Sequence, residues 1–170
     1  MNAHDKVRQT YRGIDFRKEP EKYRVGVGEE GVLLAQPYKG ELLGLWAFKT
    51  PEIAEESSRK IYQKFLDYKK AGDFVGMDMA RKFLQMGWTR SSRYANHSSG
   101  HKYDGAVPAD QRGVSGAHGR EVLPDDPDKQ KARSADIFYK VYVKARDDQE
   151  YQQMRQEWQQ KYSEVKPKKK

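Results

Sequence analysis

Apolar residues between positions 50 and 70 recur at spacings of three and four, which predicts an amphipathic helix. Thr50-Pro51-Glu52 supplies a cap residue, a proline at the first helical position and an acid in the first turn. Gly72 is expected to end this helix. Its apolar stripe consists of Ala54, Ile61, Phe65 and Tyr68.

A second helix is predicted to begin at Asp73. Gly87 indicates either a break in this helix or a close contact just before Trp88. Three polar residues, Arg81, Lys82 and Gln85, fall away from the apolar stripe, so this helix is expected to carry a basic outer face. The stripe consists of Val75, Met79, Phe83 and Met86.

Helical spacing returns in the last third of the chain. One helix is predicted after Asp126-Pro127, and Asp147-Asp148 is expected to interrupt or bend it. Its stripe consists of Ala135, Phe138, Val141 or Tyr142, and Ala145. The final helix carries an aromatic-rich stripe that must pack against another element: Tyr151, Met154, Trp158, Tyr162 and Val165.

The N-terminal third has a different pattern. Short β-prone runs joined by glycines between Tyr23 and Ala35 predict a hairpin, and the apolar run from Leu42 to Phe48 predicts a third strand. Residues 98–127 are rich in Gly, Ser, Pro and Asp, which favours a long loop. We therefore expect an α+β fold, in which a small antiparallel N-terminal sheet packs against about four helices.

This pattern divides the chain into three parts. Residues 1–22 read as a polar arm that docks through Tyr11, Ile14 and Phe16, residues 23–165 as one α+β domain, and residues 166–170 as a basic tail. A length of 170 residues fits one domain. The sequence has no cysteine, no apolar stretch of bilayer length and no signal-peptide core, so we expect a soluble cytoplasmic protein without a membrane role.

The net charge of +8 is concentrated in two places. Residues 81–120 hold seven Lys or Arg against two acids, and the last five residues hold four lysines. Guanidinium groups bind phosphate, and neighbouring aromatic rings offer surfaces for base stacking. The first hypothesis is therefore a nucleic-acid-binding accessory protein. Its candidate contacts are Arg81, Lys82, Trp88, Arg90, Arg93, Tyr94, Asn96, His97, His101, Lys102 and Arg120.

The same segment also allows an enzymatic hypothesis, a phosphodiesterase or nucleotide-processing enzyme with His97 as general base. Arg93 or Lys102 would neutralise the phosphoryl charge, and Asp104 or Asn96 would orient the imidazole. A solvated helix face beside core aromatics explains the same residues without any function. A third hypothesis is an interaction protein whose basic face binds an acidic protein partner.

A metal site is not favoured by the histidine spacing. His97 and His101 are four residues apart, but Ser98-Ser99-Gly100 between them argues against the helix that would let them share a metal. His118 lies further along, and no thiolate can assist. We therefore expect no metal, and no residue pattern identifies a cofactor.

Six segments of the chain are distinctive: Tyr23-Arg24-Val25-Gly26, Gly31-Val32-Leu33-Leu34, Pro37-Tyr38-Lys39, Trp46-Ala47-Phe48-Lys49, the run from Asp78 to Gly87, and Arg93-Tyr94-Ala95-Asn96-His97. They resemble a family of small bacterial and phage proteins catalogued as a domain of unknown function. The resemblance covers about residues 11 to 162 and implies no assigned activity, cofactor or catalytic residue. Phage membership would direct expectation toward nucleic-acid metabolism or interference with host defence.

Overall fold

In the computed structural model, α-helices are the regular elements of the part of the chain that is described. That part comprises residues 11–26, 34–96, 107, 119–120 and 129–162. A short 3-10 turn, Pro20–Lys22, precedes five α-helices. They are α1 (Tyr38–Leu43), α2 (Pro51–Lys70), α3 (Phe74–Asn96), α4 (Lys129–Arg146) and α5 (Gln149–Tyr162).

The long helices α2, α3 and α4 form a three-helix bundle. α3 runs antiparallel to α2, because a three-residue turn with Gly72 at a φ of +69° joins them. α4 runs parallel to α2, since Lys131 near its beginning bonds to Lys49 just before α2, and Asp148 just after its end pairs with Lys69. α5 crosses the beginning of α3, where Tyr151 and Trp158 contact Phe74 at ring distances of 5.9 and 5.0 Å. The core therefore lies between α3 and all the other elements.

The helix ends follow the predicted capping chemistry. The Thr50 hydroxyl accepts a hydrogen bond from the Ile53 amide at 3.2 Å, and the Asp73 carboxylate accepts one from the Gly76 amide at 3.0 Å. Asp148 caps α5 through the Tyr151 amide at 2.9 Å. The predicted beginnings of α2 and α3 and the interruption at Asp147-Asp148 are therefore confirmed.

Gly87 does not break α3, which runs on to Asn96. The Cα of Gly87 lies against the buried ring of Phe138. A Cβ added to Gly87 would lie 2.6 Å from the ring Cγ, which is too close for two carbon atoms. Of the two alternatives for Gly87, the structure shows the close contact.

The predicted α+β fold is wrong, because the described residues form no strand. Tyr23 follows the 3-10 turn, where its amide bonds to the Pro20 carbonyl at 3.0 Å, and its own carbonyl accepts from the Trp158 indole at 2.9 Å. The Arg24 amide donates to the Tyr11 hydroxyl at 3.0 Å. Backbone groups that a sheet would use are thus already paired, and residues 27–33 of the predicted hairpin lie outside the described ones.

The predicted third strand is also wrong. Leu42 belongs to α1, and the amides of Leu45 and Trp46 bond back to the carbonyls of Leu42 and Leu43 at 3.0 and 3.2 Å, as in a turn. The Ser57 hydroxyl then holds the segment by accepting from the Ala47 amide at 2.9 Å. An apolar run of this length fits a strand or a packed turn equally well by pattern, and tertiary contacts decided between them.

The N-terminal segment packs into the core through the residues expected of a docking arm. Tyr11 and Phe16 are buried, and Ile14 is packed against the same core. Arg17 forms a two-pronged ion pair with Glu41 at 2.7 Å for each bond, and Glu41 also accepts from the Tyr68 hydroxyl at 2.7 Å. These contacts attach residues 11–26 to α1 and α2.

Candidate functional site

The basic residues of α3 fall into two separate groups. Arg81 and Lys82 lie in the first half of the helix and turn inward, whereas Arg90 and Arg93 lie near its C-terminal end. At 1.5 Å per residue, the eight residues from Lys82 to Arg90 separate the groups by about 12 Å along the axis. They therefore belong to two different sites.

The inward group surrounds Asp78, whose carboxylate is fully buried. One oxygen accepts from Arg81 at 2.8 Å and from the Tyr151 hydroxyl, and the other accepts from the Tyr23 hydroxyl. The Lys82 ammonium lies 3.6 Å from the second oxygen and 5.2 Å from the centre of the Tyr23 ring. We call these five residues the Asp78 cluster.

The charges of the Asp78 cluster are mutually dependent. Burial opposes ionisation of Asp78, yet Lys82 and Arg81, together with the two tyrosine hydroxyls, lower the pKa of its carboxyl well below the usual range. Burial lowers the pKa of Lys82 against the opposing attraction of Asp78. Burial and the carboxylate both raise the pKa of Tyr23, which keeps its hydroxyl a donor. The arrangement is an interior charge group of one carboxylate between two cations, and it joins the N-terminal segment, α3 and α5.

This geometry corrects the expected basic outer face of α3. Lys82 is only 6% exposed, and Arg81 donates to Asp78, the Tyr151 hydroxyl and the Gln85 side chain. Neither side chain presents its charge to a large external ligand. The signal was present in the sequence, since Asp78, Arg81 and Lys82 have the i, i+3 and i+4 spacing of helical ion pairs.

The outward group forms what we call the basic aromatic patch, made of Trp46, Phe48, Lys49, Arg90, Arg93, Tyr94 and Lys131. The Arg90 guanidinium lies 5.2 Å from the Trp46 ring centre. Trp46 contacts Phe48 at 5.3 Å between ring centres, and Phe48 contacts Tyr94 at 6.0 Å. Planar guanidinium and indole groups in this arrangement attract each other through the ring quadrupole.

Two side chains from other helices fix this patch. The Ser57 hydroxyl donates to the Leu45 carbonyl at 2.6 Å and so anchors the segment that carries Trp46 and Phe48. The Lys131 ammonium lies 5.8 Å from the Phe48 ring centre and donates to the Lys49 carbonyl at 2.7 Å. The patch thus combines residues from the α1–α2 connection, α3 and α4.

Sequence reasoning found only part of this patch. The composition of residues 81–120 predicts Arg90, Arg93 and Tyr94 as site residues, whereas the apolar pattern predicts a strand for Trp46 and Phe48. Their proximity to Arg90 depends on how α2 packs against α3, which no local spacing reveals. The sequence signal for these two residues is a tryptophan and a phenylalanine that stand two residues apart just before the cap of α2.

Trp88 occupies a different side of α3 from Arg90. Its indole stacks on Tyr142 at 5.7 Å with an 18° angle between planes, and it contacts Tyr139 at 4.7 Å. The predicted base-stacking residues Trp88 and Tyr94 are therefore on separate surfaces. Asn96 is exposed at the end of α3, about 12 Å along the axis from Trp88.

A family model matches residues 6–161 of this chain. The chain belongs to the family described as domain of unknown function DUF4385. The match confirms the membership expected from the sequence; it does not bear on a bacterial or phage source. No curated protein and no solved structure matches the chain. Both the Asp78 cluster and the basic aromatic patch lie within the matched range of this DUF4385 protein.

The remaining predicted site residues of the DUF4385 chain lie mostly outside the described ones. These are His97, His101, Lys102 and Asp104. Arg120 is described and half-buried, next to Gly119. Within the described ranges, no three His, Asp or Glu side chains are grouped to hold a metal ion. None of the described helices has the length and apolar character to cross a bilayer.

Proposed function

We propose that this protein is a cytoplasmic nucleic-acid-binding accessory protein that holds phosphates through the basic aromatic patch. The observation that carries the proposal is the Arg90 guanidinium over Trp46, continued by the ring contacts to Phe48 and Tyr94. Cations beside flat rings serve both parts of a nucleotide, the phosphate and the base. The cysteine-free sequence supports the cytoplasmic location.

The charge around the patch favours an anion. Lys49 and Arg93 are exposed, and Lys129 and Arg133 are exposed in the first turns of α4. The beginnings of both α2 and α4 lie at this end of the bundle, and the positive ends of their two helix dipoles outnumber the one negative end, that of α3. Among the described residues at this end, Glu52 lies in the first turn of α2, and Asp136 is paired with Lys140 at 3.0 Å.

The test is fluorescence anisotropy with labelled single-stranded and duplex oligonucleotides, measured from low to physiological salt. We expect log Kobs to fall linearly with log salt, with a slope of roughly 0.7 to 0.9 per phosphate contacted. Lys49→Ala combined with Arg93→Ala removes two exposed charges and should weaken binding to all sequences, with a slope smaller by about 1 to 2.

The matched control is Lys18→Ala combined with Lys70→Ala. Both residues are exposed and lie near the other end of the bundle, so this variant loses the same charge without touching the patch. An equal loss of affinity in the control would mean that only net charge matters and would refute the patch. Absence of binding to both kinds of oligonucleotide at low salt would refute the function.

A further variant, Arg90→Lys, keeps the charge and removes the planar group over Trp46. We expect weaker binding with an unchanged salt slope. Retention of a protein partner after nuclease treatment would instead favour the acidic-partner hypothesis. The phosphodiesterase hypothesis depends on His97 and Asp104, which lie outside the described residues, and it stays a prediction.

A further inference from the structure

A groove runs between the C-terminal end of α3 and the N-terminal half of α4, on the side of the helix pair that carries Trp88. Its volume is about 460 Å³, which lies within the range of small-molecule sites. Its lining residues are Trp88, Ser92, Ala95, Asn96, Ala132, Ala135, Asp136 and Tyr139.

Small side chains create the groove. Ala95 and Ala135 are buried and form its floor, and Ala132 is exposed at its rim. A larger residue at any of these three positions would fill the space that the two helices leave open. The floor is therefore flat and apolar, which suits a planar ring.

One wall of the groove is aromatic and held in place. The Trp88 indole is fixed by its stack on Tyr142, and the Tyr139 ring, 37% exposed, contacts Trp88 at 4.7 Å. A ring that enters the groove can contact these side chains without first ordering them. Pre-ordered aromatic side chains lower the entropic cost of stacking a ligand ring.

The polar groups at the rim match the edge of a base better than a phosphate. Asn96 offers an amide with both donors and acceptors. Asp136 pairs through one carboxylate oxygen with Lys140 at 3.0 Å, and its other oxygen repels phosphate but can accept from an amino group. The phosphate-binding charge lies one residue from the groove lining, because Arg93 follows Ser92 in α3. A basic residue of the patch thus borders the groove at the same helix end.

We infer that the α3–α4 groove binds an unpaired nucleobase that carries an amino group, so that the protein prefers single-stranded nucleic acid. The base lies on the alanine floor against Trp88 and Tyr139, and its amino edge donates to Asp136. Duplex nucleic acid cannot supply such a base without unpairing it. The ligand class rests on the proposed function, and the groove is tested separately from the patch.

The experiment compares single-stranded and duplex oligonucleotides of the same sequence with Ala132→Leu, which fills the groove from its exposed rim. We expect the single-stranded affinity to fall about 5- to 150-fold, the range for loss of one stacked base, and the duplex affinity to stay unchanged. Ala71→Leu is the matched control, because Ala71 is exposed at the opposite end of the bundle. It should change neither affinity.

A second measurement uses free nucleosides, which carry no phosphate and do not depend on the patch. Adenosine and cytidine should shift the indole N–H signal of Trp88 in NMR spectra, and uridine, which has no amino group, should shift it less. Asp136→Ala, which removes the acceptor oxygens, should remove this preference. If the protein bound single strand and duplex equally well, and Ala132→Leu changed neither affinity, the proposal for the groove would be wrong and the proposal for the patch would stand. If Lys49→Ala with Arg93→Ala left oligonucleotide affinity unchanged while nucleosides still bound, the patch alone would be overturned.

Discussion

Replacing Asp78 with asparagine tests whether the Asp78 cluster is held together by its charge. The substitution preserves the size of the side chain and removes the only acid among the five residues of the cluster. Lys82, 6% exposed, then loses the carboxylate 3.6 Å away, and Arg81 loses its ion pair at 2.8 Å. The side-chain nitrogen of the asparagine must also take the place of one carboxylate oxygen. It then faces groups that donated hydrogen bonds to that oxygen, either Tyr23 or Arg81 and Tyr151.

The expected cost of Asp78→Asn is large. Removal of one partner from a buried ion pair costs about 3 to 5 kcal/mol, because the remaining charge is left without compensation. For a domain of this size, such a loss lowers Tm by roughly 6 to 20 °C. It is a substantial part of a total unfolding free energy of roughly 5 to 15 kcal/mol.

The double variant Asp78→Asn with Lys82→Met separates charge from packing. Methionine keeps much of the lysine length and removes the ammonium, while Arg81 retains its bonds to Gln85 and the Tyr151 hydroxyl. We expect the double variant to be more stable than Asp78→Asn alone, although it carries one more substitution. Strong non-additivity of this sign is typical of residues in one network.

The assay is urea unfolding followed by circular dichroism at pH 7, with ΔG obtained by linear extrapolation. The surface control is Asp67→Asn, whose carboxylate is exposed and bonds to Gln63 at 3.0 Å, and it should change ΔG by no more than about 0.5 kcal/mol. If Asp78→Asn costs less than about 1 kcal/mol, or if the double variant is less stable than the single one, the electrostatic reasoning is wrong.

Three further predictions concern the fold. The pKa of Asp78 is lower in the folded chain than in the unfolded chain. The stabilisation of the fold by the Asp78 carboxylate is therefore fully present above about pH 4, the unfolded pKa, and is lost as pH falls through the folded pKa. Urea titrations should show that the stability advantage of the wild type over Asp78→Asn shrinks below about pH 4. Gly87→Ala should destabilise by about 1 to 3 kcal/mol despite better helix propensity, because its Cβ meets the Phe138 ring, and Phe138→Leu should relieve part of this in thermal melts. Thr50→Ala should cost about 1 kcal/mol by loss of the bond to Ile53, and equal stability would contradict the cap.

Local pattern was sufficient to predict the helices and some of their ends. The periodicity of Ile61, Phe65 and Tyr68 required one buried face, and Thr50 and Asp73 marked the beginnings of α2 and α3. These signals act over one or two helical turns, so they are readable without knowledge of the rest of the chain.

The candidate sites were only partly readable. The spacing of Asp78, Arg81 and Lys82 announced an ion-paired group, but its inward direction depends on Tyr23 and Tyr151 from distant segments. Burial turned residues that composition alone assigned to a phosphate surface into interior partners of a carboxylate. Charge counts along a sequence cannot distinguish these two outcomes.

By itself, the sequence determined the four longer helices, the division near Asp147-Asp148 and a concentration of positive charge around Arg90 and Arg93. Tertiary structure decided that Tyr23 follows a 3-10 turn, that Leu42 belongs to α1, and that Trp46 lies beside Arg90 and Phe48 beside Tyr94. The physical reason is range. Helix periodicity and capping depend on neighbours within a few residues, whereas short apolar runs take the conformation that buries them and pairs their backbone groups, which contacts far along the chain determine.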